Sequence, residues 1–151
     1  QPKTEIATVL TRQHRTGQRI VYFAADIDRC YARQHLPDHG DLLANAVRWA
    51  VHDRLPLTVE GPGYLDCHLF KQAHRLILHI VNLSGCTAWP GYVEEHISVG
   101  PIQVAIRLSA ETLPASARLC VKGQAIDLVI NRGWARFELA SIGSHEMVVI
   151  E

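Results

Sequence analysis

Hydrophobic and polar positions follow two different periods along the chain, and the period changes near residue 55. Before that point, Glu5 to Thr11 is rich in β-branched residues, and Arg19 to Ala25 is an almost continuous apolar run, which is typical of a strand covered on both faces. Because Gly17 gives a turn signal between these runs, we predict an antiparallel hairpin. An amphipathic helix should follow, since six apolar residues recur at helical spacing: Leu42, Leu43, Ala46, Val47, Trp49 and Ala50.

The predicted helix has recognisable ends. Asp38 is the expected N-cap, with Asp41 three residues later as in a capping box, and Pro56 sets the latest possible end. Between the apolar strand and this helix we expect an acidic turn and a loop. The turn contains Asp26, Asp28 and Arg29 directly after the strand, where functional groups often lie in α/β sheets. The alternative is purely structural, with the carboxylates capping the turn or pairing with the arginine.

Beyond residue 55 the apolar pattern has a period of two, and no helical pattern is convincing. A proline-containing linker, Leu55 to Pro62, becomes a strand, and eight short strand-like runs follow it with turn signals between them. The runs are Gly63–Phe70, Arg75–Leu83, Tyr92–Val99, Ile102–Leu108, Ala117–Val121, Ala125–Ile130, Trp134–Leu139 and Glu146–Ile150. Short strands at this spacing indicate an antiparallel β-sandwich. We therefore predict a mainly β chain, with a short strand-strand-helix α+β part (residues 1–55) before a sandwich (residues 56–151).

Composition narrows the possible partners. Lys and Arg number 15, as do Asp and Glu, and this balance argues against a nucleic-acid partner, which requires a basic face. No apolar run approaches the roughly 18 residues that a membrane span requires, and no leader pattern is visible, so we expect a cytoplasmic protein without a membrane partner.

Because the only methionine is Met147, we expect a processed product or a fragment of a longer chain. The four cysteines form no C-x-x-C pair and are expected to be reduced structural thiols.

The chain contains no phosphate-binding loop, zinc-protease motif or nucleophile elbow, so we predict no cofactor, no metal site and no catalytic residues. His68 and His79 lie on neighbouring predicted strands and could bind a metal together with Asp66, or be an exposed pair on a sheet face. The best binding candidate follows Ser84, where aromatic rings stand beside acids, as suits sugar recognition. Its residues are Trp89, Tyr92, Glu94 and His96. Alternatively, the tryptophan of this loop closes the end of the sandwich.

Two segments also resemble a known family. GQRIVYFAADIDR followed by LLANAVRWA resembles the end of the glutamine-amidotransferase-like domain of trimeric β-galactosidases and related glycoside hydrolases. The next segment, TVEGPGYLDCHLFKQAHRLILHIVNLSG, resembles the start of the C-terminal β-sandwich of the same proteins, so the match covers about residues 17–85. The matching positions of the first segment are Gly17, Arg19, Tyr22, Phe23, Asp26, Asn45 and Trp49.

The resemblance implies that residues 1–55 are the end of a flavodoxin-like domain that helps to assemble an oligomer. In that family the domain follows a catalytic (β/α)8 barrel that carries the catalytic acids, and this chain has no such barrel. The first hypothesis is therefore a non-catalytic accessory module that packs on the parent catalytic domain or forms a homo-oligomer. The alternative is a carbohydrate-binding sandwich that uses Trp89 and Tyr92, and the third hypothesis is a hydrolase in its own right.

Overall fold

The computed structural model describes residues 7–85, 95–109 and 114–151. It divides the chain into two compact units, Gln1–Leu55 and Pro56–Glu151. Every described strand pair is antiparallel, which confirms the predicted mainly β, antiparallel class. The family to which each unit belongs stays a prediction. Within the described residues, no helix has the length and the apolar character needed to cross a membrane.

The first unit is a hairpin followed by two helices. Strands β1 (Val9–Gln13) and β2 (Arg19–Phe23) pair from Val9 opposite Phe23 to Gln13 opposite Arg19. Helices α1 (Ile27–Gln34) and α2 (Pro37–Ala50) follow. The predicted hairpin and the amphipathic helix are both present, although β1 lies further along the chain than expected. Residues 1–6, which include the first two of the predicted strand, lie outside the described part.

Two local predictions in this unit were wrong. The expected loop contains helix α1, whose half-buried side chains, Ile27, Cys30 and Tyr31, form only a short stripe at helical spacing among polar residues. Asp38 is not the N-cap of α2, because the helix already begins at Pro37, and the capping position is Leu36 in an extended conformation. Proline fixes the backbone angle that the first helical residue needs and disfavours the helical conformation in the residue before it. Asp38 lies instead in the first turn, where its charge favours the helix dipole.

The second unit is a sandwich of two antiparallel sheets with the strand orders β3-β6-β10-β9 and β4-β5-β11-β7-β8. Buried residues of both sheets form one apolar cluster that includes Leu78 and Val148 from one sheet and Ile106 and Leu139 from the other. The strands are β3 (Leu57–Glu60), β4 (Leu65–Gln72), β5 (Arg75–Asn82), β6 (Ile102–Arg107), β7 (Ala117–Leu119), β8 (Gln124–Ile126), β9 (Val129–Asn131), β10 (Trp134–Leu139) and β11 (His145–Ile150).

Two strand predictions in the sandwich were wrong. The single strand expected over residues 125–130 is divided between the sheets, because β8 pairs with β7 and β9 pairs with β10. The chain thus changes sheets at residues 127–128, and no glycine or proline marks this change in the sequence. The strand expected over residues 92–99 is absent in its described part except for one bridge, between Val99 and Ile142. Pro101 follows closely and has no amide hydrogen to continue a ladder.

Candidate functional site

One face of the hairpin in the first unit is covered, and the other is not. Val21 and Phe23 face α2 and line an apolar depression together with residues of that helix. Leu10, Ile20 and Tyr22 lie on the opposite face, since Leu10 pairs with Tyr22 and successive strand residues alternate. These three side chains are 51%, 59% and 59% exposed. The apolar run that predicted a strand covered twice is therefore covered once by described residues, and we call these three side chains the bare hairpin face.

Polar contacts at one end fasten the hairpin to α2. The Arg19 guanidinium donates a hydrogen bond of 3.0 Å to the Trp49 carbonyl oxygen and lies 4.9 Å from the centroid of that indole ring. The His52 ring also contacts the Gly17 carbonyl oxygen at 2.9 Å, in the turn of the hairpin. The arginine lies at the C-terminal end of α2, where free carbonyl groups favour a cation. Arg19 and Trp49 thus orient the hairpin on the helix.

The acidic segment after β2 lies at the beginning of α1. Asp26 occupies the position before the helix and pairs with Arg29 across 2.6 Å, with both side chains more than half exposed. Asp28 lies in the first turn of α1. Both aspartates, with Leu43 of α2, line an open depression at the end of β2. An exposed ion pair of this kind contributes little to stability.

Of the four residues predicted to bind carbohydrate, one lies in the described part of the chain. His96 is exposed and lies in the connection between β5 and β6. Trp89, Tyr92 and Glu94 lie outside the described residues. The structure therefore places the two ends of this candidate loop and one of its side chains.

Asn82 joins the two ends of that loop. Its side-chain amide donates hydrogen bonds of 2.7 Å to the carbonyl oxygens of Ile97 and Gly143, and its side-chain oxygen accepts one of 3.0 Å from the Ser84 amide. Asn82 is 6% exposed, and the three bonds are partly buried because the groups that Asn82 contacts lie closer to the surface. A single buried side chain thus holds the chain both before and after the loop. Asn82 occupies an inward position of β5, in the same row as Leu76, Leu78 and Ile80.

The two histidines considered for metal binding lie directly opposite each other. His68 pairs with His79 in the β4–β5 register, and the His68 ring contacts the Asp66 carboxylate at 3.1 Å. The His79 ring instead stacks on His145, with nitrogen atoms 3.4 Å apart. Within the described residues, no group of three or more histidine, cysteine, aspartate or glutamate side chains could hold a metal ion. The rings form an aromatic row on the outer face of the five-stranded sheet.

Three cysteines lie in the described part of the chain, and all are free thiols: Cys30, Cys67 and Cys120. Cys67 lies on the inner side of β4 and packs against the core. Burial raises the pKa of the Cys67 thiol, and the negative charge of neighbouring Asp66 raises it further. A thiol with a raised pKa is a poor nucleophile at neutral pH, so Cys67 does not provide a reactive centre.

No protein-family model matches the chain, and no curated protein sequence matches it. Among solved structures, the chain is similar to α-L-fucosidase isoenzyme 2 from Paenibacillus thiaminolyticus, with a TM-score of 0.71 and 21% sequence identity. The match covers 87% of this chain and 20% of the fucosidase, so the chain spans about a fifth of that protein's length. This likeness establishes a shared fold. Because Pro56–Glu151 is less than two thirds of the chain, the match includes residues of both units.

A second solved structure is a cycloisomaltooligosaccharide glucanotransferase from Paenibacillus sp., complexed with cycloisomaltoheptaose. Its sequence identity to this chain is 14%, and its TM-score is 0.48. The match covers 68% of this chain and 19% of the glucanotransferase. A TM-score at that level does not establish a common fold.

Proposed function

We propose that this chain is a non-catalytic accessory and assembly module from the C-terminal part of a glycoside-hydrolase-like protein. In this proposal Gln1–Leu55 is the end of a flavodoxin-like, amidotransferase-like domain, and Pro56–Glu151 is the β-sandwich that follows it. The bare hairpin face is the assembly surface and binds a second copy of the chain. The parent catalytic domain is the other partner that such a module would contact.

The observation that carries the proposal is the exposure of Leu10, Ile20 and Tyr22 on one side of a two-stranded sheet. Fully burying a large apolar side chain contributes about 1.5–3 kcal/mol. Covering three side chains that are each about half exposed would therefore contribute roughly 3 kcal/mol before the cost of association. Contiguous apolar surface of this kind marks interaction sites on soluble proteins.

The fucosidase supports the proposal at the level of architecture. The shared fold is about a fifth of an enzyme named for cleaving a sugar, and the match extends over both units. A fold that is present within a much longer sugar-cleaving enzyme is what an accessory module of such an enzyme would show. The resemblance of residues 17–85 to the amidotransferase-like domain and its sandwich points in the same direction.

Sedimentation over a wide concentration range tests the assembly function. We expect the wild-type chain to form a dimer or trimer and Ile20→Lys to shift it to monomer, because Arg12 lies directly opposite and a second positive charge on this face would be buried without a partner. Val121→Lys is the matched control, since Val121 is 60% exposed in the sandwich, and it should assemble like the wild type. A wild-type chain that stays monomeric at every concentration would contradict assembly through this face.

A second candidate function is carbohydrate binding by the loop that carries Trp89 and Tyr92. The observation in its favour is that Asn82 fixes both ends of this loop, as a binding loop on a rigid scaffold requires. Titration calorimetry with neutral oligosaccharides tests it: Trp89→Ala should abolish binding and Trp89→Phe should retain part of it. Full affinity in Trp89→Ala would exclude this function for the loop. We expect no turnover of aryl glycosides by the chain.

A further inference from the structure

A tryptophan on the outer face of the four-stranded sheet is flanked by two arginines. Trp134 of β10 lies directly opposite Arg107 of β6, and Arg136 is two residues further along β10 on the same face. The guanidinium carbons of Arg107 and Arg136 lie 4.8 Å and 5.7 Å from the indole centroid. The indole is partly buried and both arginines are exposed. We call these three residues the Arg-Trp-Arg cluster.

Within the described residues, the cluster has no acidic partner. The described ion pairs use other arginines, and neither Arg107 nor Arg136 has a hydrogen bond to a carboxylate there. The acid nearest along β10 on this face is Glu138, which accepts a hydrogen bond from Gln103. Two positive charges thus share one ring in a chain whose formal net charge is zero. Their hydrogen-bond donors remain available to an acceptor from outside the described residues.

The structural alternative is a cation–π pair that stabilises the sheet surface, which one arginine would satisfy. The second guanidinium adds like-charge repulsion that this alternative does not explain, whereas a bound anion would relieve it. Guanidinium groups bind carboxylates and sulfates in a two-pronged geometry, and an indole stacks on the apolar face of a sugar ring. The cluster therefore combines the two chemistries that an acidic sugar presents together.

We propose that the Arg-Trp-Arg cluster binds an anionic sugar, either a uronic acid or a sulfated residue, on the outer face of β6 and β10. The choice of a sugar as the ligand rests on the proposed function, whereas the preference for an anion follows from the two guanidinium groups alone. This site lies on the outer face of the four-stranded sheet and shares no residue with the Trp89 loop. It uses none of the residues of the bare hairpin face, so the assembly test and the binding test can fail separately.

Titration calorimetry on the full chain tests the site with three oligosaccharides of equal length: an oligogalacturonate, a sulfated galactan fragment and a neutral galactan fragment. We expect binding of at least one anionic sugar, no binding of the neutral one, and affinity that falls as salt is raised. Arg107→Gln and Arg136→Gln, which retain polar side chains and remove the charges, should each weaken binding at least about tenfold. Arg118→Gln is the matched control, because Arg118 is exposed on the other sheet, and it should bind like the wild type.

The two anionic sugars identify the acidic group that is recognised. Tighter binding of the oligogalacturonate indicates carboxylate recognition, and tighter binding of the sulfated galactan fragment indicates sulfate recognition. Trp134→Ala should abolish sugar binding, and Trp134→Phe keeps the test valid if the alanine variant does not fold. Equal binding of the neutral sugar, no binding of either anionic sugar, or arginine variants indistinguishable from Arg118→Gln would overturn the proposal. Sodium sulfate that binds as tightly as the sulfated sugar would overturn the sugar component.

Discussion

Replacing Asn82 should destabilise the sandwich and release the loop that it closes. In Asn82→Ala the carbonyl oxygens of Ile97 and Gly143 and the Ser84 amide all lose their side-chain partner. A buried polar group left without a partner costs about 1–3 kcal/mol. Because water can reach the partly buried ends of these bonds, we use the lower end of that range for each of the three groups. The expected loss in the free energy of unfolding is therefore about 3 kcal/mol.

Asn82→Asp is a sharper test of the same reasoning because the side chain keeps its shape. The amide nitrogen that donates to Ile97 and Gly143 would become an oxygen facing two carbonyl oxygens at a distance of 2.7 Å. Since donors are lost and a charge is buried, the aspartate should cost at least as much as the alanine. Asn131→Ala is the control, because Asn131 lies exposed on an edge strand, and its effect should stay below about 0.5 kcal/mol.

Urea unfolding, monitored by hydrogen-exchange mass spectrometry, measures the change in the free energy of unfolding of the sandwich alone. The two units can unfold separately, so a signal averaged over the chain would not give a two-state free energy. Peptides from β5 and β11 report on the sandwich, and the Val99 amide, which bonds to Ile142, reports on the end of the loop. If Asn82→Ala unfolds at the same urea concentration as Asn131→Ala, the bonds of Asn82 do not hold the loop as described.

Three other substitutions or modifications follow from the same structure. Arg19→Ala should cost the first unit roughly 1–2 kcal/mol by removing the bond to Trp49, measured as faster exchange of α2 amides, and unchanged exchange would contradict this function. Cys67 should be alkylated slowly at pH 8, because its raised pKa leaves little thiolate, and its alkylation should speed up as the pH is raised; a rate that does not change with pH would contradict this. Asp26→Asn should change stability by less than about 0.5 kcal/mol in thermal melts, since its ion pair is exposed.

The sequence was most informative where burial alternates strictly. In β4 and β5 the buried positions are apolar apart from Asn82 and the outward ones are polar or half-exposed, so both strands and the hairpin could be predicted. The same rule failed at residues 125–130, because β9 is exposed along its whole length and no glycine or proline separates it from β8. Helix α1 escaped prediction for a different reason, since its half-buried positions Ile27, Cys30 and Tyr31 span little more than one turn among polar residues.

The candidate sites were harder to predict than the strands, because their residues are brought together by contacts that the sequence does not show. Arg107 and Trp134 are 27 positions apart, and only the strand register brings them together. The signal for Asn82 was visible, because a polar residue occupied an inward strand position between apolar ones, and a buried asparagine needs partners. Its partners were not visible, since Ile97 and Gly143 belong to connections whose path the sequence does not determine.

The distribution of buried residues links the stability of the first unit to the proposed assembly. Every buried residue of the described chain lies between Leu76 and Ile150, and the described part of Gln1–Leu55 has none. Ordering the backbone costs about 1–2 kcal/mol per residue, and apolar burial is the main term that offsets it. A hairpin that is covered on one face and fastened by Arg19 contributes little apolar burial. Covering the bare hairpin face would thus stabilise the first unit as well as join copies, because the same apolar area serves both purposes.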